Sequence, residues 1–186
     1  MKMLNDSLIR TEFVRKYIKD QSIVFHELAV KRGIAIADIV TVNSFAHCYE
    51  IKSDVDSLAR LPTQVNAFSD VFRKVTLITT LKHLTKAQSI IPSWWGLIVA
   101  RKEKEEVIFN YVRKSKKNPK DTSPDLLKIL WNDELKSILS SRNIPFKKGF
   151  NRDELVNVII KNSSAKFIND MFFAKMNERV NQSHHK

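Results

Sequence analysis

Asp38, Glu50 and Lys52 are the residues of this chain whose types and spacing could do chemistry. Glu50 and Lys52 lie two positions apart in the segment CYEIKSDVD, residues 48–56. Alternate residues of a strand face the same side, so the two side chains project together. If Asn43, Ser44 and Phe45 make a tight turn, Val42 pairs with Ala46 and Asp38 falls opposite Glu50. Two carboxylates brought that close repel each other unless one protonates or a cation enters between them. A hard divalent ion that keeps open water positions, Mg²⁺ or Mn²⁺, suits such a pair. The ion would neutralise a phosphodiester and acidify a bound water, with Lys52 orienting that water and steadying charge on the phosphoryl oxygens. A solvated salt bridge between Glu50 and Lys52 at a strand edge is the competing reading.

These groups need a sheet to hold them. The segments 22–30, 35–42 and 46–52 are β-branched and apolar and are separated by turn residues, which predicts three successive antiparallel strands. A helix over 5–20 precedes them. The stretch 53–72 reads as helix opening on capping residues, with Pro62 starting a second helical piece. Further strands are expected over 74–80 and 95–102, with a short helix over 83–91 between them. This order predicts an α/β fold, a mixed sheet flanked by helices.

Composition sets the surroundings. The chain has 186 residues, of which 43% are apolar and 28% charged, so it can bury a substantial core. A single cysteine, Cys48, excludes an internal disulfide and fits a reducing cytoplasm. Neither a signal peptide nor an apolar run of ~18 residues is visible, so no membrane span is expected. The formal charge is +12. Residues 1–100 carry 13 basic and 9 acidic groups, whereas 101–186 carry 19 and 11. An excess of this size favours a polyanionic partner such as nucleic acid. His26, His47 and His83 lack metal-ligand spacing, and no glycine-rich phosphate loop occurs. Cys48 has no activating base nearby in sequence, and the Trp94–Trp95 pair is expected to pack rather than to stack on bases.

An acid on one strand followed by Glu-x-Lys on the next resembles the PD-(D/E)XK nuclease superfamily. The segment GIAIAD before Asp38 and the run Gln64-Val65-Asn66-Ala67-Phe68 are similar to the approach and the Gln-x-x-x-Tyr helix of its RecB-like members, with Phe68 in place of tyrosine. A family of small bacterial proteins within that superfamily is a closer likeness. Its pattern runs through HELAV, ADIVTVN, YEIKSDVDSLARLPTQ, VFRKVTLIT, KHL and IPSWWGLIVA, over about residues 22–100. The resemblance implies a restriction-endonuclease-like core in which Asp38 and Glu50 bind Mg²⁺ or Mn²⁺, Lys52 handles the water and Gln64 supports the site. Glu27 is a candidate third ligand, with a salt bridge to Lys31 or Arg32 as its alternative; Glu12 is a weaker substitute. Asp54 and Asp56 are expected to cap a helix, and Arg60 to clamp a phosphate or to pair on the helix surface.

After residue 112, the stretch RKSKKNPKDTSP (113–124) reads as a basic linker between a domain over 1–112 and a helical unit over 125–186. In that unit Leu135, Ile138 and Leu139 are spaced to meet Leu155, Val158 and Ile159. Asn143 should end one helix in the left-handed region, and Asn151 should cap the next with Glu154 as its box partner. The arrangement resembles a SAP-like helix-loop-helix, which implies Lys147, Lys148 and Arg152 on the phosphates of duplex DNA; a small helical cap on the first domain is the alternative. The expected function is metal-dependent DNA cleavage, for which a homodimer would suit the cutting of both strands. A non-catalytic DNA-binding or adaptor protein on the same fold is the second reading, and a protein-interaction module with a basic surface the third.

Overall fold

The computed structural model describes residues 3–18, 23–120 and 123–183. Helix α1 (Asp6–Tyr17) is capped by the Asn5 side chain, which accepts from the Leu8 N–H. Strands β1 (Ile23–Val30), β2 (Ala35–Val42) and β3 (Ala46–Lys52) follow, then helix α2 (Leu61–Val71), strand β4 (Lys74–Thr79), helix α3 (Leu84–Ile90), and strands β5 (Gly96–Glu103) and β6 (Glu106–Arg113). The six strands form one sheet in sequential order. β3–β4 and β4–β5 pair parallel and the outer pairs antiparallel, so the sheet is mixed and the fold is α/β, as the element order predicted. The parallel pairs are those joined by helical crossovers, which is what parallel pairing requires.

Four further helices complete the chain: α4 (Ser123–Leu127), α5 (Asn132–Ser141), α6 (Arg152–Lys161) and α7 (Ala165–Ser183). Ile168, Phe172 and Met176 form the buried stripe of α7, in line with its apolar spacing. One sheet face, with Val40, Cys48, Val75, Leu77 and Leu97, is continuous with the apolar side chains of α2 and of all four C-terminal helices. The other face, with Ile39, Ile51, Ile78 and Ile98, is covered by Ile9 and Phe13 of α1. Trp95 is fully buried against Phe68, and its indole N–H donates to Ser69, so the Trp pair packs as its sequence context suggested. Among the described residues no helix is long and apolar enough to cross a membrane.

Three features depart from the sequence reading. Strand β6 was not anticipated, because Glu103-Lys104-Glu105-Glu106 reads as a solvated charge run; Lys104 adopts φ 52 and closes a tight hairpin there. The stretch 53–60 is turn, and helix starts only at Leu61, with Pro62 in its first turn. The segment 114–120 lacks regular structure but is fastened down. Lys116 N–H donates to Trp94 O, and Asn118, 2% exposed, donates through its side chain to Ser69 O and Phe72 O. Gly96 lets it approach, since a Cβ there would lie 2.6 Å from Thr76 Oγ1 and 3.0 Å from Ser115 N.

The β1–β2 connection is a backbone of left-handed residues, Lys31 (φ 52), Arg32 (φ 58) and Gly33 (φ 87). Only the glycine takes such angles without cost. Ion pairs hold the other two: Lys31 to Asp70 and Asp125, and Arg32 to Asp153 at 2.6 Å. Partial burial alone would raise the Asp70 carboxyl, but hydrogen bonds from Lys120 and Lys31 outweigh it and hold the group below the ordinary carboxylate range. A depressed acid stabilises the fold above its unfolded pKa, and that stabilisation fades as pH falls through the folded value. Asp70→Asn should therefore lower the thermal midpoint by a few degrees at neutral pH, and the difference should shrink towards zero in strong acid, as followed by circular dichroism.

Candidate functional site

The β2–β3 pairing has the register inferred from the turn, Val42 opposite Ala46, but stops at Ile39–Tyr49. One position further, Asp38 and Glu50 would be partners; instead the strands part. The Asp38 carboxylate bridges the opening: its Oδ2 accepts the Ile51 N–H at 2.7 Å, replacing a backbone carbonyl. On the other side of β2 the β1 ladder is interrupted at the same level. His26 pairs with Ile39 and Leu28 with Ala37, whereas Glu27 between them has φ 56.

A cleft of about 610 Å³ opens where the strands separate, lined by Asp6, Glu27, Gly33, Ile34, Ala35, Ile36, Asp38, Glu50, Ile51, Lys52, Asp56, Arg60, Thr63 and Gln64. The four residues expected to carry chemistry, Asp38, Glu50, Lys52 and Gln64, thus share one cavity. Glu50 is the most enclosed of them. Its Oε1 accepts from Lys52 Nζ at 2.7 Å and from Gln64 Nε2 at 2.5 Å. Its Oε2 is buried without a hydrogen-bond partner among the described residues, as is Gln64 Oε1. The Glu50 and Lys52 side chains are 1% and 6% exposed, so the pair is buried and not the solvated strand-edge bridge weighed above.

Burial sets the electrostatics. The contact with Lys52 alone would keep Glu50 ionised, but loss of water around its carboxyl and the neighbouring Asp38 charge push its pKa up to about 8. Asp38 is also raised, by burial, against the opposing Ile51 N–H, Arg10 and Lys52. The cleft lining carries five carboxylates (Asp6, Glu27, Asp38, Glu50, Asp56) against two cations, Lys52 and Arg60. Cys48, fully enclosed on the strand before Glu50, has its thiol pushed far up by burial.

The remaining candidates separate. Glu27 reaches the cleft rim with a side chain 72% exposed, and its partner is Arg10 at 3.7 Å, not Lys31 or Arg32, whose carboxylates come from elsewhere. Glu12 pairs with Arg15 and Lys16 and lines no part of the cleft. Asp56 accepts from Ser53 N–H and Oγ, and Asp54 from Leu4 N–H. Neither caps a helix, because the chain turns for eight residues before α2 begins; both instead fix the turn that follows Lys52. Arg60, exposed at the start of α2, lines the cleft with no ion pair among the described residues. Phe68 is core.

In the C-terminal helices Asn143 is left-handed (φ 54), and Asn151 with Glu154 forms the anticipated capping box. Lys147 and Lys148 are exposed on the α5–α6 loop. Arg152 lines a separate depression with Lys31, Arg32, Asp125 and Lys128, and this depression meets the main cleft only at Ile34.

Sequence reasoning missed Arg10. Its guanidinium donates to Asp38 Oδ1 and to the Asp38 carbonyl, each at 3.2 Å, and its Nε to Asp6 Oδ1 at 3.1 Å. Nothing in the helical spacing of α1 marked it; the signal lay in Asp6 and Arg10 forming an i,i+4 pair, ordinary on any helix.

The family model for bacteriophage P4 protein cII matches residues 4–186. The chain belongs to the bacteriophage P4 protein cII family. Within that family, protein cII of Enterobacteria phage P4 is 28% identical over 147 residues, which are 79% of this chain and 55% of the relative. The chain thus spans about half the length of that curated cII relative. Among solved structures, a protein of unknown function from Silicibacter pomeroyi aligns with 77% of this cII-family chain and 94% of its own, at 15% identity and a TM-score of 0.46.

Proposed function

We propose that this chain is a metal-dependent nuclease that hydrolyses phosphodiester bonds of DNA. The observation that carries the reading is Glu50 Oε2, a buried carboxyl oxygen with no hydrogen-bond partner among the described residues, on a cleft shared with Asp38. An unpartnered buried polar atom of this kind costs stability unless something fills the space beside it. A lining with five acids and two bases also repels a phosphodiester until a cation enters. Among the described residues no cluster of three or more His, Cys, Asp or Glu is spaced to hold a metal. Mg²⁺ and Mn²⁺ do not require one: such ions sit on one or two carboxylates and keep waters, so the donor set fits. Asp38 and Glu50 would hold the ion, which supplies Lewis acidity toward the phosphodiester.

The chain's own groups do the rest. Lys52 Nζ, buried beside Glu50, orients the attacking water and stabilises charge developing on the phosphoryl oxygens. Gln64 fixes the Glu50 rotamer through its 2.5 Å hydrogen bond. Arg60 at the mouth meets a backbone phosphate, and the exposed Lys147 and Lys148, with Arg152 nearby, lend the C-terminal helices affinity for DNA. Supercoiled plasmid should be nicked or linearised with Mg²⁺ or Mn²⁺ and left intact with EDTA; equal cutting under both conditions would refute the proposal.

A second reading is favoured by a different observation. Asp38 and Glu50 Oε1 are already satisfied within the chain, by Arg10, Ile51 N–H, Lys52 and Gln64. Such internal pairing suits a DNA-binding or adaptor protein that does not cut. No uptake of Mn²⁺ at millimolar concentration, together with salt-sensitive DNA affinity, would select that reading.

A further inference from the structure

Arg10 bonds carboxylates from three elements: Asp6 of α1, Glu27 of β1 and Asp38 of β2. Its side chain is only 17% exposed and that of Asp38 20%, so the contact with Asp38 is the one held largely out of water. At Asp38 the contact is double, to the side-chain Oδ1 and to the backbone carbonyl. The planar fork of a guanidinium presents two N–H groups in fixed geometry to two such oxygens, a preorganisation that the point charge of a lysine lacks. The location matters because the β2–β3 ladder has ended at Ile39–Tyr49, so backbone pairing with β3 no longer holds Asp38. What fixes its carboxylate is the Ile51 N–H on one oxygen and Arg10 on the other.

We propose that Arg10 is the positioning residue for Asp38. It locks the carboxylate at the opening between β2 and β3, so that divalent-cation affinity depends on a side chain that touches neither cation nor substrate. This rests on the metal reading given above. A rival account makes Arg10 a competitor that must leave before an ion can bind. The geometry disfavours it. Arg10 is anchored on Asp6 and on the Asp38 carbonyl, neither of which an ion on the carboxylates needs, and each carboxylate oxygen accepts more than one partner. Ligating carboxylates are commonly held by such outer partners, whose loss weakens metal binding by about 10- to 100-fold.

The test is Mn²⁺ affinity, read from the paramagnetic resonance signal of free Mn²⁺, for wild type, Arg10→Ala, Arg10→Lys and Arg10→Gln. Circular dichroism of the metal-free proteins checks the fold. Arg10→Ala should bind about 10- to 100-fold more weakly, and Arg10→Lys should not restore affinity, because charge without the fork is insufficient. If Arg10→Ala does not fold, Arg10→Gln, which keeps a polar side chain of similar reach without the charged fork and leaves every cleft carboxylate in place, should still bind about tenfold more weakly. Wild-type or tighter affinity in the Arg10 variants, or full rescue by lysine, overturns the positioning role while leaving the metal site standing. Absence of Mn²⁺ binding by wild type overturns the metal reading and the role of Arg10 with it.

Discussion

Lys52→Met is expected to reduce phosphodiester cleavage by about 10²- to 10³-fold, the usual consequence of removing one preorganised donor from a transition state. Methionine keeps most of the buried volume, so the loss reports the amine and not a cavity. Lys52→Ala should lose as much activity and be less stable as well. Its Glu50 partner is not left as a bare buried charge, however, since that carboxyl already favours its protonated form near neutral pH. Asp38→Ala should be equally inactive. DNA affinity, resting on exposed basic groups such as Lys147 and Lys148, should change little in any of these variants. Cleavage at wild-type rates by Lys52→Met and Asp38→Ala would remove both residues from the chemistry.

Glu50→Gln is expected to make the protein more stable while making it inactive. The folded carboxyl titrates at about 8, against 4.5 for the ordinary group, because burial and Asp38 disfavour its charge. Between those values the folded chain holds a proton that the unfolded chain has released, so stability falls as pH rises through this window. At pH 7 a shift of this size costs on the order of 3 kcal/mol. A neutral glutamine removes that penalty and retains an oxygen for Lys52 and Gln64. The thermal midpoint at pH 7 should therefore rise by about 5–10 °C, and the gain should vanish once the pH falls well below 4.5, where both states of the wild type are protonated. Millimolar Mn²⁺ should reverse the order, stabilising wild type by binding the native state and leaving Glu50→Gln where it was. A variant that is no more stable than wild type at pH 7 would show that Glu50 is comfortably ionised in its pocket.

How much of this was legible in the sequence follows from what each feature depends on. The Val42–Ala46 register was readable because a three-residue turn and a strict two-residue alternation leave few alternatives. Asn143 and Asn151 were readable because capping is local. The convergence of Asp38, Glu50 and Lys52 followed from strand register, whereas Gln64 was reached only through the family resemblance. The early end of the β2–β3 ladder was not readable, since it depends on a side chain replacing a backbone acceptor. Arg10 was missed because two of its three carboxylate partners lie 17 and 28 residues away in sequence. Strand β6 was hidden by a charged hairpin, and the hold on residues 114–120 by the polar side chain of Asn118, whose composition reads as linker. The left-handed Glu27 shows that a strand-like pattern does not reveal a local break in pairing.

The most direct measurement is a crystal soaked in Mn²⁺ and recorded at the manganese absorption edge. The account predicts an anomalous peak at the opening between β2 and β3, within bonding distance, about 2.0–2.3 Å, of carboxylate oxygens from both Asp38 and Glu50. No peak there at millimolar Mn²⁺, with Glu50 still paired only to Lys52 and Gln64, would contradict it.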